Sequence, residues 1–343
     1  MILPKISFPA EWAPQSAIML TFPHKDTDWK PYLGEAMQCF AKIARTIVRF
    51  EKLLIVCCSA NEVKAALGDV DYSQIVFCEI QTNDTWARDH APVSLFIDKT
   101  PVLLDFAFNG WGLKFPANHD NQITRRLFDC HIFSPEVQYQ NMQQFILEGG
   151  SIESDGQGTL LTTSQCLLSP NRNVNLDKTY LEAFFKTVFG LNRVLWLDHG
   201  YLVGDDTDSH IDTLARFCDT ETIAYVKCTD KKDVHFKALS AMGKQLQSFS
   251  NAYGKPYRLL PLPMAEPVYF EGKRLPATYA NFLIINGAVL YPTYNSNLDK
   301  IAGEQLQKAF TDREIIGIDC LPLIRQHGSL HCVTMQFPKR FLS

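Results

Sequence analysis

Short apolar or alternating runs recur along the whole chain, at residues 17–21, 53–58, 93–97, 102–106, 145–148 and 159–163, and again at 194–197, 222–226, 257–260, 282–285, 315–318 and 332–336. Their length and period predict β-strands. Between them lie segments of helical period. Met37, Phe40, Ala44, Ile47 and Val48 share one face, Leu181, Phe184, Phe185 and Val188 a second, and Leu298, Ile301, Ala302, Leu306 and Phe310 a third. Strands alternating with amphipathic helices define an α/β protein. Glycines and prolines fall mostly singly at turn-like places such as Ser169-Pro170 and Asn286-Gly287, and no Ser/Gly/Pro linker or charged block divides the chain. One domain over 1–343 is therefore expected. No sequence repeat is visible, so any internal symmetry would lie in the structure alone. The chain has neither a Gly-x-Gly-x-x-Gly after its first strand nor a P-loop.

Composition narrows the ligand class. With 46% hydrophobic and 20% charged residues in 343, the chain can bury a large core. A net charge of −4 gives no broad basic field, which argues against nucleic acid or an anionic membrane surface and favours a cation among charged ligands. No run approaches the roughly 18 consecutive apolar residues of a membrane span. Residues 1–12 carry Lys5, Glu11 and two prolines in place of the apolar core of a secretion signal, so a cytoplasmic protein is expected. Ten cysteines are scattered along the chain, and Cys57, Cys58, Cys78 and Cys228 sit in apolar runs; most are expected to be reduced and buried.

Four segments concentrate polar residues where packing alone does not ask for them. The stretch Asn83-Asp84-Thr85-Trp86-Ala87-Arg88-Asp89-His90 precedes an apolar strand, a common place for function; the structural alternative is a turn in which Asp84 or Asp89 pairs with Arg88. At Leu147-Glu148-Gly149-Gly150 an acid ends an apolar run, and the glycines either admit a close neighbour or simply punctuate the fold. In Asp208-Ser209-His210-Ile211-Asp212, extended backbone would put the side chains of His210 and Asp212 on one face. With Asp208 the same residues could also ligate a divalent ion, although an EF-hand is excluded because position 12 of a loop starting at Asp206 is Phe217. Finally, His327-Gly328-Ser329-Leu330-His331-Cys332 is a flexible turn leading into a strand, where the Cys332 thiol either faces a pocket or is one more buried cysteine.

Taken together, Cys332, His210 and the carboxylates Asp89, Glu148 and Asp212 have a definite use. A guanidinium is planar and cationic, and presents donors in a fork that carboxylates accept in pairs. Its carbon is a poor electrophile, so a thiolate is the natural attacker, and the bound cation itself favours ionisation of the thiol.

These segments resemble the agmatine deiminase and bacterial peptidyl-arginine deiminase family of guanidino-group modifying enzymes. The resemblance runs in order through Glu11-Trp12, Trp86-Ala87-Arg88-Asp89, Phe108-Asn109-Gly110-Trp111-Gly112, Glu148-Gly149-Gly150, Asn171-Arg172-Asn173, His210-Ile211-Asp212 and His331-Cys332, nearly the whole chain. It implies a five-bladed α/β propeller, the pentein fold, with pseudo-fivefold symmetry and a central site. It implies Cys332 as nucleophile, His210 as general acid and then base, Glu148 to orient and charge-stabilise His210, Asp89 and Asp212 to clamp the guanidinium, and Trp86 and Trp111 as pocket walls, with no metal or other cofactor. The implied substrate is agmatine, hydrolysed to N-carbamoylputrescine and ammonia in putrescine synthesis. Arginine and peptidyl-arginine are alternatives, with Arg172 or Arg88 available to meet an α-carboxylate, and a homo-oligomer stays open. The chain departs from the family pattern at Ser209, usually Gly, at His327-Gly328-Ser329-Leu330, usually a glycine run, and at Met335, where Gln is common. Two other readings stand beside this one: a metal-dependent ureohydrolase built on Asp208, His210 and Asp212, and a guanidine-binding protein without turnover.

Overall fold

Five sheets in the computed structural model, which describes residues 4–342, repeat one connection. The expected 1–343 span and the segment 1–12 reach slightly beyond the described residues. In each sheet a short first strand runs antiparallel to a middle strand, a helical crossover follows, and a third strand returns parallel to the middle one. The clearest case is Ile152–Ser154, Thr159–Thr163 and Arg193–Leu197, with the helix Lys178–Phe189 in the crossover. Ala215–Phe217, Thr222–Lys227 and Arg258–Pro263 repeat it around the helix Phe236–Gln247, and Leu283–Ile285, Ala288–Thr293 and Glu314–Asp319 around Leu298–Ala309. Val93–Ile97, Thr100–Ala107 and Gln138–Ile146 form another, edged by Ile6–Ser7. In the remaining sheet the two ends of the chain meet. Thr334–Pro338 runs antiparallel to Gln15–Thr21, which continues through the helix Leu33–Ile47 to Lys52–Cys57 and then to Ile75–Glu79.

Local sequence explains where these elements begin and end. The helix Lys178–Phe189 opens at Asp177, whose side chain accepts the Tyr180 N–H at 2.8 Å, and stops at Gly190 in the left-handed region (φ +67°). A Cβ at Gly190 would come within 2.8 Å of the Ile6 carbonyl oxygen. The buried stripe Leu181, Phe185 and Phe189 packs against Phe106, Phe145 and Leu160 of the neighbouring strands, and each fully buried Phe contributes about 2 kcal/mol of transfer free energy.

Several sequence expectations need correction. Of the run at 145–148 only Phe145 and Ile146 are strand, the tail of a longer one, Gln138–Ile146, whose polar first half hides its period; Leu147 and Glu148 lie beyond it. At 332–336 the strand begins only at Thr334, so Cys332 lies in the turn before it. Ile301 is 43% exposed, because it precedes the buried Ala302 by about 100° around the helix axis. Cys58 is exposed just past its strand, although all ten cysteines are free thiols. Among the described residues no helix is long and apolar enough to cross a membrane.

Candidate active site

In each of the five sheets the segment just before the first strand is a tight turn, and these turns meet. They are the residues 331–333, the helical turn Ala87–His90, the 3-10 turns Gly149–Ser151 and Ile211–Thr213, and residues 278–281. They bring Cys332, Asp89, Glu148, His210, Asp212 and Asn281 together, all buried. The expected extended backbone at His210-Ile211-Asp212 is therefore not what converges the pair: Asp212 lies within a 3-10 turn, so His210 faces Glu148 while Asp212 faces Cys332. Gly150 shows how tight the junction is. A Cβ there would lie 2.6 Å from His210 Nδ1 and 2.8 Å from Asp89 Oδ1, and the Gly150 N–H donates to that same Asp89 oxygen at 2.9 Å.

Cys332 Sγ lies 3.4 Å from Asn281 Oδ1 and 3.9 Å from Asp212 Oδ2. Burial, and then the charges of Asp212 and Asp89, push its thiol pKa well up. His210 Nε2 lies 3.2 Å from Glu148 Oε2, and Nδ1 lies 3.6 Å from Asp89 Oδ1. Burial opposes the charged imidazolium, but the negative charge of Asp89 and the neighbouring Cys166 and Glu148 outweigh it and raise the His210 pKa well above the usual range. Glu148 in turn takes the Arg172 Nε–H at 2.7 Å; despite burial, the His210 hydrogen bond and the Arg172 charge hold its carboxyl below the ordinary value. Asp89 accepts from the Trp111 indole N–H at 2.9 Å, delivered by a loop in which Gly110, Trp111 and Gly112 all have positive φ. Asp212 Oδ2 meets His331 Nδ1 at 2.7 Å, while Asp212 Oδ1 is buried with no hydrogen-bond partner among the described residues.

Every predicted site residue thus lies at this junction or on its walls, and the structure adds others. Asn281, Arg172, His331 and Cys166 sit in direct contact with the predicted set. Arg88 does not pair with Asp84 or Asp89. It turns to the opposite side, where Nη2 lies 3.5 Å from Glu11 Oε2 and Nη1 donates to Gln336 Oε1, while Asp84 accepts from the Trp29 indole. Arg172 is committed to Glu148 and Asp208, so neither arginine is free for a carboxylate. The divalent-ion set separates: Asp208 faces Arg172 and Lys114 rather than His210 and Asp212. Glu148, Cys166 and His210 form a tight potential ligand cluster, but its members are spent on one another and on Arg172. Two of the departures from the family pattern have a backbone reading. Ser209 (φ +64°) and His327 (φ +68°) occupy the left-handed region that favours glycine, and the Ser209 hydroxyl donates to Gln165 Oε1 at 3.2 Å.

The junction opens into a pocket walled by Trp86, Trp111 and Phe115, with Asp28, Asp84 and Asp206 also in its lining and no Lys or Arg among the described residues there. Gly328 lets the 327–330 turn lie on Trp86, where a Cβ would come within 2.1 Å of the ring. A thiol, an imidazole and converging carboxylates at the end of an acidic, aromatic pocket can support thiol chemistry on a cation. The chain belongs to the Porphyromonas-type peptidyl-arginine deiminase family, whose model matches residues 7–338. It is 54% identical to a Porphyromonas gingivalis protein provisionally named an arginine deiminase, with a TM-score of 0.95 over 99% of this chain and 100% of the other. A cysteine-to-serine variant of C. jejuni agmatine deiminase with substrate bound is 38% identical, with a TM-score of 0.92 over 98% of this chain and 97% of that one. Agmatine deiminase of Pseudomonas aeruginosa (strain LESB58) is 30% identical over 96% of this chain and 95% of its own.

Proposed function

We propose that the protein is an agmatine deiminase acting through a covalent amidino-cysteine intermediate, within putrescine synthesis. The observation that carries the reading is the buried Asp212 carboxylate at the Cys332 thiol, with Oδ2 at 3.9 Å from the sulfur and Oδ1 without a partner among the described residues. Such an acceptor costs about 1–3 kcal/mol while it is unmet, and a guanidinium supplies planar, cationic N–H donors. Asp89 and Asp212 clamp it between the tryptophans. Its charge offsets the two carboxylates that hold the thiol protonated, so the thiol ionises as substrate binds.

The thiolate then adds to the guanidino carbon. His210, protonated at neutral pH by its raised pKa and oriented by Glu148, gives its proton to the departing nitrogen, the C–N bond breaks, and ammonia leaves. A water deprotonated by the now neutral His210 adds to the amidino carbon, the C–S bond breaks, and the ureido product is released with the thiolate restored. Agmatine and water become N-carbamoylputrescine and ammonia, with no metal or other cofactor in the balance.

The pocket favours agmatine over arginine. Its acidic lining suits a second positive charge, and the two arginines that could meet an α-carboxylate are buried in ion pairs. The naming of the C. jejuni and P. aeruginosa relatives supports the same choice. Arginine is the second reading, favoured by the name of the P. gingivalis relative. We further read the five repeating sheets as a single five-bladed propeller domain over the described residues, and the ten free thiols as those of a cytoplasmic protein.

The test is product analysis with agmatine, arginine and an arginine peptide, with and without a chelator. The ureido product of agmatine is expected with or without chelator, and Cys332→Ala should lower the rate about 10³-fold or more. Urea and putrescine lost to the chelator would indicate the metal ureohydrolase, activity retained in Cys332→Ala would sink the assignment, and no product from any substrate would leave a guanidine-binding protein.

A further inference from the structure

We infer that His331, the residue before the nucleophile, is a positioning residue for the guanidinium clamp: wedged between Asp212 and Glu11, it fixes the Asp212 carboxylate beside the nucleophile and leaves its Oδ1 for a ligand. The inference rests on the deiminase reading above and goes beyond it, because His331 does not touch the substrate pocket and acts only through Asp212.

The geometry is specific. His331 is 1% exposed; Nδ1 lies 2.7 Å from Asp212 Oδ2 and Nε2 lies 2.7 Å from Glu11 Oε2. With a carboxylate against each nitrogen, the ring bridges two acids at once. Its own position is set from behind, since the His331 N–H donates at 2.9 Å to Asn281 Oδ1, the same oxygen that lies 3.4 Å from the Cys332 sulfur. One residue thereby ties the orientation of Asp212 to that of the nucleophile. With Oδ2 committed to His331, Oδ1 is the Asp212 oxygen left for a ligand, and it is the one without a partner.

The electrostatics run the same way. Asp212 is surrounded by His331 and Cys332 on one turn, Arg88 and Asp89 on another, His210 at the start of its own turn, Glu148 on a facing one, and Arg216 and Glu11 behind. Burial alone would raise its carboxyl, but the hydrogen bond and charge of His331, followed by His210 and Arg216, bring it below the usual range. Burial raises Glu11 too, and Arg216, His331 and Arg88 more than reverse it, so the far end of the wedge stays anionic. Without His331 the Asp212 carboxyl should titrate higher. Since the clamp needs the anion, the acid-side fall of kcat/KM should then move to higher pH.

The experiment compares the wild type with His331→Gln and Glu11→Gln. It measures kcat and KM for agmatine across pH, and agmatine binding by calorimetry in a Cys332→Ala background. His331→Gln is expected to raise KM and weaken binding about 10- to 100-fold, the range for loss of a charge-assisted hydrogen bond, with the acid limb displaced upward by about one pH unit. Glu11→Gln, which keeps a hydrogen bond to His331 but loses the anchoring charge, should move both in the same direction by less. A folded His331→Gln with wild-type KM and an unmoved acid limb overturns the inference. If His331→Gln does not fold, an unmoved limb in Glu11→Gln overturns it instead. A wild type that converts none of the guanidine substrates overturns the deiminase reading and this inference with it, whereas wild-type turnover with unmoved limbs in the variants removes the inference alone.

Discussion

At the scale of single residues, proton placement decides what the site can do. His210 and Cys332 share the neighbour Asp89 with opposite consequences: its charge adds to burial and Asp212 in holding the thiol neutral, and outweighs burial in holding the imidazole charged. His90, on the same turn as Asp89, is a contrasting case. It is buried with no partner on either ring nitrogen among the described residues, and burial lowers its pKa to about 3. Above about pH 6.5, folded and unfolded chains both hold it neutral; below that the unfolded chain takes up a proton that the folded one refuses until near its own pKa. Each tenfold difference in proton affinity between the two states is worth about 1.4 kcal/mol, so stability should fall by a few kcal/mol as pH drops through that window. Urea unfolding from pH 7 to 4 on the wild type and His90→Phe measures it. The variant should lose a clear part of the acid sensitivity, and identical slopes would refute the assignment.

At the scale of elements, the working unit is the turn ahead of each first strand. The Gly149–Ser151 turn holds Glu148 against His210 only because the backbone can pass this close to the His210 and Asp89 side chains. Gly150 does not have a positive φ, so Gly150→Ala carries little backbone penalty, but its Cβ must displace His210 or Asp89. Activity should fall about 10²-fold, the usual effect of moving reacting groups by about 1 Å, while the melting temperature changes little. Steady-state kinetics beside a thermal melt checks this, and a fully active variant would show that the junction is looser than these distances imply. The turns are only partly legible in the sequence. Apolar runs mark the middle strands, and helical period marks Leu33–Ile47 and Lys178–Phe189. Turn shape is not encoded that way: Cys332 falls in the turn that precedes its strand, and Asp212 in one turn of 3-10 helix. Neither conformation has a period long enough to stand out from its flanks.

At the scale of the whole molecule, buried charge joins the sheets behind the site. Arg216 is fully buried; it donates to Glu153 Oε2 at 2.7 Å, Glu11 Oε2 at 2.9 Å and the Phe282 carbonyl at 2.6 Å, linking parts of the chain far apart in sequence. Arg216→Met would strand two buried carboxylates and should cost about 3–5 kcal/mol, read as a lower denaturant midpoint. A change within about 0.5 kcal/mol, the range of an ordinary surface substitution, would mean that water or rearrangement replaces the arginine. This scale explains what the sequence conceals. Asn281 lies in no polar cluster of its own and becomes notable only when residues 51 positions later fold against it. Arg172 reads as a free cation in the chain, and only its contacts with Glu148 and Asp208 show it to be spoken for. Cys332, His210, Asp89, Asp212 and Glu148 are legible because their side chains make chemical sense as a set and match a family order.

The most direct test of the covalent mechanism is mass spectrometry of enzyme quenched rapidly during turnover of agmatine. The account predicts that the Cys332 peptide gains the mass of agmatine less ammonia, with or without chelator, and that the gain decays as the ureido product appears. Steady product formation while every Cys332 peptide keeps its unmodified mass would contradict it.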